Sequence, residues 1–209
     1  MRKISYALIG GGMMGLEHIR YVKKVPNARI QTIVEPNALQ RSQCQKEIPD
    51  VEFTPLNSLK HRDDIDAAII CTPNYTHFEI LNFLFDTKIN NILLEKPVVT
   101  NPADVLKIKK MAENWIGKIW VGMEYRYMAP IAELLKEIQK GTIGNSWMMT
   151  VREHRNPFLK KVDDWNRFHV KTGGTLVEKC CHFFDLMHLF LKENPVRVFA
   201  SGGSSVHHK

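Results

Sequence analysis

Six residues near the N-terminus, Gly10-Gly11-Gly12-Met13-Met14-Gly15, narrow the possible folds sharply, because they follow the β-branched apolar run Ile4 to Ile9 and open a helical pattern from Met13 to Val25. The spacing is G-x-G-x-x-G. At the end of a strand its first glycine permits a tight turn, its second lets backbone N–H groups approach a pyrophosphate, and its third packs helix against strand. Glu35 closes the next apolar run, Arg29 to Val34, where a carboxylate accepts adenosine ribose hydroxyls and repels a 2′-phosphate. NAD is therefore expected over NADP, with Gly10, Gly12, Met13, Met14, Gly15 and Glu35 as cofactor-binding candidates. The plainer reading is a glycine turn followed by a surface glutamate.

Beyond this point strand and helix patterns alternate. Ile4 to Ile9, Arg29 to Val34, Asp66 to Cys71, Asn91 to Leu94 and Lys118 to Met123 read as strands. Met13 to Val25, Ala38 to Glu47, His77 to Asp86 and Ala103 to Asn114 read as helices, with Asn101-Pro102 as a start signal. Strand–helix–strand order predicts right-handed crossovers and a doubly wound parallel sheet of the Rossmann type over residues 1–124.

Residues 125–209 change rhythm and predict an incomplete α+β domain with a partial, mostly antiparallel sheet. A helix is expected over Pro130 to Lys140, a strand over Ser146 to Glu153, a helix over Thr175 to Leu191 and a strand over Val196 to Ser201. Two strands make a small sheet. The expectation is thus a fragment, a truncated isoform or a damaged gene product whose last strand leaves an edge open to pairing. His207-His208 are expected to face solvent.

Composition closes several alternatives. With 44% hydrophobic and 24% charged residues the chain reads as globular, and no apolar run approaches the roughly 20 residues of a membrane helix. Cysteines 44, 71, 180 and 181 form no C-x-x-C pair, which favours a reducing, cytoplasmic setting, no zinc site and packing roles. Asn74-Tyr75-Thr76 then meets no glycosylation. The formal net charge of +7 comes from scattered groups such as Lys23-Lys24, Lys107 with Lys109-Lys110, and Lys160-Lys161, without interleaved aromatics. These read as solvated surface, with no nucleic-acid partner.

Three segments carry chemistry. Cys71-Thr72-Pro73-Asn74-Tyr75-Thr76-His77 follows the strand over 66–71, and Glu95-Lys96-Pro97 follows the strand over 91–94, so both lie at the carboxyl edge where open α/β sheets bind ligands. Thr72, Pro73, Asn74, His77, Glu95 and Lys96 join the cofactor-binding candidates; Lys96 alone would read as a solvated lysine. In Gly173-Gly174-Thr175-Leu176-Val177-Glu178-Lys179-Cys180-Cys181-His182-Phe183-Phe184-Asp185, Glu178, His182 and Asp185 share one helical face. A carboxylate beside an imidazole suits a general base for an alcohol proton, and a helix-surface ion pair is the bland alternative.

Together these motifs resemble the Gfo/Idh/MocA oxidoreductases, the glucose-fructose oxidoreductase and inositol dehydrogenase family, from about residue 4 to about 203. The resemblance implies NAD(P)-dependent oxidation of a hydroxyl on a sugar, polyol or related small molecule, in a cleft between two domains. It implies catalytic roles for Lys96, in proton transfer and at the cofactor ribose, for His182 as general base and for Glu178 as its partner. Glu178 stands where the family often has aspartate, and Glu124 where asparagine is common. The resemblance further implies a cis Lys96-Pro97 peptide, homo-oligomers for a full-length form, and a second domain built on a larger antiparallel sheet. A cofactor-binding regulatory or interaction protein without turnover is the competing function. Substrate choice is expected from absent residues and from the loop over Asn156 to Val170.

Overall fold

The computed structural model describes residues 2–154 and 159–203. His207-His208 and the start of the Asn156 to Val170 loop lie outside these residues.

The first half alternates as the apolar periodicity requires: β1 (Ile4–Ile9), α1 (Met13–Val22), β2 (Ala28–Val34), α2 (Ala38–Glu47), β3 (Glu52–Phe53), β4 (Ala67–Ile70), α3 (His77–Phe85), β5 (Asn91–Leu94), α4 (Pro102–Glu113) and β6 (Lys118–Val121). The six strands form one sheet in the order β3-β2-β1-β4-β5-β6, and every pairing is parallel. This is the doubly wound Rossmann arrangement.

Near-continuous apolar strands are what a sheet covered on both faces needs. Ala7, Ile9, Ala68 and Ile70 enter one core with Leu81 and Leu84 of α3. Leu8 and Ile69 alternate to the opposite face and pack with Ile19 of α1 and Cys44 of α2. Fully burying each such aliphatic side chain contributes roughly 1.5–3 kcal/mol. Local signals fix the helix starts. The Asn37 side chain accepts from the N–H groups of Leu39 and Gln40 to open α2, and Asn101 caps α4 with Pro102 in the first turn. The two-residue β3 was not expected, being too short for a hydrophobic period to register.

The second half contains α5 (Ala129–Gln139), α6 (His169–Thr172), α7 (Thr175–Glu178) and α8 (Cys181–Leu191). Here the structure corrects two expectations. Residues 146–153 and 196–201 form no strand. Their alternation is real, but a strand also needs a neighbouring backbone to complete its ladder, and none is present among the described residues. Val196 is fully exposed, as nearly are Phe199 and Trp147. Among the described residues the second half therefore contains no strand of the expected partial antiparallel sheet. Likewise the helix over 175–191 is two helices with a turn at Lys179-Cys180, entered through Gly173 and Gly174 at φ +77° and +81°. Among the described residues no helix is long and apolar enough to cross a membrane.

Candidate active site

Strand order reverses between β1 and β4, whose carboxyl ends run into Gly10 and Cys71. A crevice opens outside the strand ends at such a point. Gly10 adopts φ +98°, and a Cβ there would come within 2.7 Å of the Cys71 carbonyl carbon. At Gly15 an added Cβ would lie 2.2 Å from the Gly10 carbonyl oxygen, so this glycine holds α1 against the turn. Gly12 differs: a Cβ there would meet nothing within 4 Å. The first turn of α1 has neither a side-chain cap nor an acidic residue, and the leading N–H groups of a helix have no acceptor within it. A helix N-terminus so arranged fits an anionic pyrophosphate. Met13 is exposed, whereas Met14 packs against the core.

Glu35 ends β2 beside this turn. Its Oε2 accepts from the Gly11 N–H at 2.6 Å and its Oε1 from the Asn37 N–H at 2.7 Å. Two backbone donors thus fix the carboxylate next to the glycine loop. Burial and then the Glu35 charge push the nearby Cys44 thiol up to about 11, keeping it protonated.

On the other side of the reversal point, His77 does something other than offer a ring to the crevice. It is wholly buried, with Nδ1 2.7 Å from the Pro97 carbonyl oxygen and Nε2 3.0 Å from that of Thr72. Burial lowers its pKa, opposed by these two carbonyls. The ring therefore ties the turn after β4 to the segment after β5, with both of its nitrogens facing backbone carbonyls. Thr76 Oγ1 donates to the Thr72 hydroxyl and sits 2.7 Å from the Pro73 carbonyl oxygen, while Asn74 is buried. Glu95 also points inward: its Oε1 lies 2.8 Å from His18 Nε2 of α1, and a Cβ on Gly122 would come within 3.3 Å of its other oxygen. The Lys96-Pro97 peptide is cis. His18 and His77 thus hold the Glu95-Lys96-Pro97 segment from two sides.

Lys96 reaches across to the second half, where its Nζ donates to the Glu178 carbonyl oxygen at 3.1 Å. Glu178 is buried. Burial raises its pKa, with Lys161, Lys96 and Asn74 pulling the other way. His182 is also buried, with the Tyr125 ring stacked on it at 4.2 Å. The carboxylate placed beside it is that of Glu124, Oε1 to Nε2 at 3.4 Å. The break at Lys179-Cys180 removes the i,i+4 alignment on which the Glu178–His182 pairing was expected. Asp185 faces elsewhere, in a two-pronged ion pair with Arg126 that docks α8 against the segment after β6.

Sequence reasoning noted Glu124 only as standing where asparagine is common, and gave no site role to Tyr125, His18 or Lys161. Lys161 was read as solvated, yet its ammonium lies 4.6 Å from the Trp165 ring centroid, and burial lowers its pKa against the pull of Glu178. The advance signals for Glu124 were its place just after a strand at the ligand-binding edge and its departure from the common asparagine. Lys161 left none, because its position depends on tertiary packing.

Comparison with known proteins adds three findings. The model of the Gfo/Idh/MocA oxidoreductase family, NAD-binding Rossmann fold, matches residues 4–123, and that of the family's C-terminal alpha/beta domain matches residues 136–209. Inositol 2-dehydrogenase of Rhizobium meliloti (strain 1021) is 27% identical over 200 residues, 95% of this chain and 58% of that protein. The 2,7-anhydro-N-acetylneuraminate hydratase of Mediterraneibacter gnavus is 26% identical, over 99% of this chain and 54% of that protein. The chain thus spans a little over half the length of these curated relatives. In fold it resembles scyllo-inositol dehydrogenase from Lactobacillus casei, solved with NAD(H) and scyllo-inositol, at a TM-score of 0.73 and 16% identity, covering 91% of this chain and 57% of that one.

Proposed function

Because the chain belongs to the Gfo/Idh/MocA oxidoreductase family, we propose that it binds NAD(H) and serves a dehydrogenase-type reaction at a CH–OH group of a sugar, polyol or related small molecule. One observation carries this reading. Lys96 after β5, Glu124 after β6, and Glu178 and His182 of the second half meet at the same sheet edge as the glycine turn. On this reading residues 1–124 hold the cofactor and residues 125–209 contribute to the substrate side.

The cofactor residues are those bordering the open space at α1. Gly12, Met13 and Met14 offer backbone N–H groups to the pyrophosphate, and the Glu35 carboxylate receives the ribose hydroxyls. A 2′-phosphate would meet the fixed negative charge of Glu35, which supports NAD over NADP. Thr72, Pro73, Asn74 and Lys96 border the nicotinamide side. When bound, the nicotinamide supplies the acceptor for a hydride.

The chain's own groups handle the proton. His182 takes it from the substrate hydroxyl, and half-exposed Glu124 passes it towards solvent. Lys96, kept in place through Glu95 and Pro97, stabilises the charge that develops on the substrate oxygen. Tyr125 covers the His182 ring, so substrate contact requires that stack to part. The relatives carry two substrate types, inositol being a neutral cyclic polyol and N-acetylneuraminate a sugar acid, and both fall within the proposed range.

The test is NADH fluorescence titration together with turnover of a polyol and sugar-acid panel by the parent, Lys96→Met and His182→Ala. His182→Ala is expected to bind NADH like the parent, Lys96→Met to bind it within about tenfold, and both to lose about 10²- to 10⁴-fold in rate, the usual worth of general acid–base catalysis. NADH binding without turnover in the parent would favour the regulatory alternative, and parental rates in either variant would refute that residue's role.

A further inference from the structure

His182, Leu186 and Phe190 form one buried stripe along α8, each four residues from the next. Burial decides which face of the helix turns inward, but the hydrophobic effect is non-directional and leaves the exact rotation of a ring unset. His182 is also the second residue of α8, directly after the turn at Lys179-Cys180, and this helix start has neither a side-chain cap nor an acidic residue in its first turn. Helix ends fray most readily. A base in that position needs a hold from outside its own helix.

Three consecutive residues after β6 supply it. The Gly122 N–H donates to the Leu94 carbonyl oxygen at 2.8 Å and pins the chain to the sheet, after which it winds into a short 3₁₀ turn over Glu124–Tyr127. Glu124 meets the edge of the His182 ring, Tyr125 lies almost parallel to its face at an interplanar angle of 6°, and Arg126 engages Asp185. Both carboxylate oxygens are held: Arg126 Nε donates to Oδ2 at 2.6 Å, and a terminal nitrogen donates to Oδ1. A two-pronged pair fixes orientation as well as distance. The Arg126 side chain is 38% exposed, so screening keeps the pair's net contribution to stability modest. Its directional effect is the larger one, because Asp185 and His182 stand three residues apart on one unbroken helix.

We propose that Arg126 is a positioning residue for His182: acting through Asp185, it sets the rotation of the first turn of α8 and keeps the ring seated between Tyr125 and Glu124. The catalytic bearing of this clamp rests on the reading of His182 as general base. The break at Lys179-Cys180 is thereby held on both sides. Lys96 after β5 grips the last residue of α7 through the Glu178 carbonyl oxygen, and Arg126 after β6 grips α8.

The test follows deuterium exchange at the imidazole Cε1 hydrogen by mass spectrometry, which reads each histidine separately and needs no substrate. His77, wholly buried in the first half, is the internal reference. Arg126→Met and Asp185→Asn should each speed exchange at His182 by about tenfold, the lower end for a hydrogen bond to a charged group, and leave His77 at the parental rate. The double variant should exchange no faster than the faster single one, because the same contact is lost in each. Unchanged exchange at His182 in the single variants, equal acceleration at His77, weakened NADH binding, or multiplied effects in the double variant would overturn the proposal. With a substrate that the parent turns over, kcat should fall about ten- to a hundredfold with KM little changed, the scale of a displacement near 1 Å. Parental kcat in Arg126→Met would also overturn it. A parent that binds NADH yet turns over nothing would remove the dehydrogenase reading alone, and the exchange rates would still decide the clamp.

Discussion

Two glycines of the same turn should answer in opposite ways to the same added methyl group. Gly12 has φ −70° and ψ −164°, which alanine adopts readily, and its Cβ would meet no atom. Gly12→Ala should leave folding unchanged or raise it by up to about 1 kcal/mol through a less flexible unfolded chain. Its methyl group would occupy the space assigned to the pyrophosphate. Losing one charged hydrogen bond costs about 1.5–3 kcal/mol, so NADH affinity should fall on the order of 10- to 150-fold. Gly15→Ala meets a different environment. Helix propensity alone would make it stabilising by about 1 kcal/mol. Its Cβ, however, would lie 2.2 Å from the Gly10 carbonyl oxygen, and Gly10 is itself pressed against Cys71. Backbone on both sides cannot yield as a side chain could, so overpacking should cost towards the upper end of roughly 1–3 kcal/mol. The net expectation is a loss of about 2 kcal/mol. Urea unfolding followed by far-UV circular dichroism gives the first quantity and quenching of NADH fluorescence the second. A Gly15→Ala protein more stable than the parent, or Gly12→Ala binding NADH at parental affinity, would refute the reasoning.

Glu35→Ala removes the charge facing the ribose edge and should narrow the preference for NADH over NADPH by about tenfold or more; paired titrations that return the parental ratio would contradict the assignment. His77→Gln removes a buried imidazole held below its ordinary value of 6.5. Because the unfolded chain takes up this proton first, the parent's stability should be fully present above about pH 6.5 and fall as pH drops towards the folded-state pKa. The variant should be less stable at neutral pH and show a shallower decline across that window, measured by urea unfolding at several pH values. Parallel pH profiles would count against a buried neutral His77.

The first half was legible in the sequence because its signals are local. Ile4 to Ile9 and the glycine turn state their local structure within a few residues, Glu35 closes its strand where the apolar run ends, and Asn37 and Asn101 announce the helices that they cap. The chemistry of the second half was legible only as a set of residues. Glu178 and His182 have the right spacing for a pair, but that inference assumes an unbroken helix, and Lys179-Cys180 interrupt it. Glu124 then stands beside His182 from 58 positions earlier, a separation no periodicity encodes. Val196, Val198 and Ala200 alternate as a strand should, yet alternation specifies a face and supplies no neighbour. Lys161 looked like one of many surface lysines because its surroundings arise from Trp165 meeting Tyr75.

The sheet order has a consequence for redesign. Glu35 hangs from β2 on one flank of the reversal point, whereas Lys96 and Glu124 hang from β5 and β6 on the other. On the proposed assignment, the choice of dinucleotide and the handling of the proton occupy separate modules that share the β1–β4 seam. A library varying the β2 terminus could exchange one cofactor for the other without touching a proton-carrying group. A library varying the β5 and β6 termini could retune the chemistry on an unchanged cofactor grip.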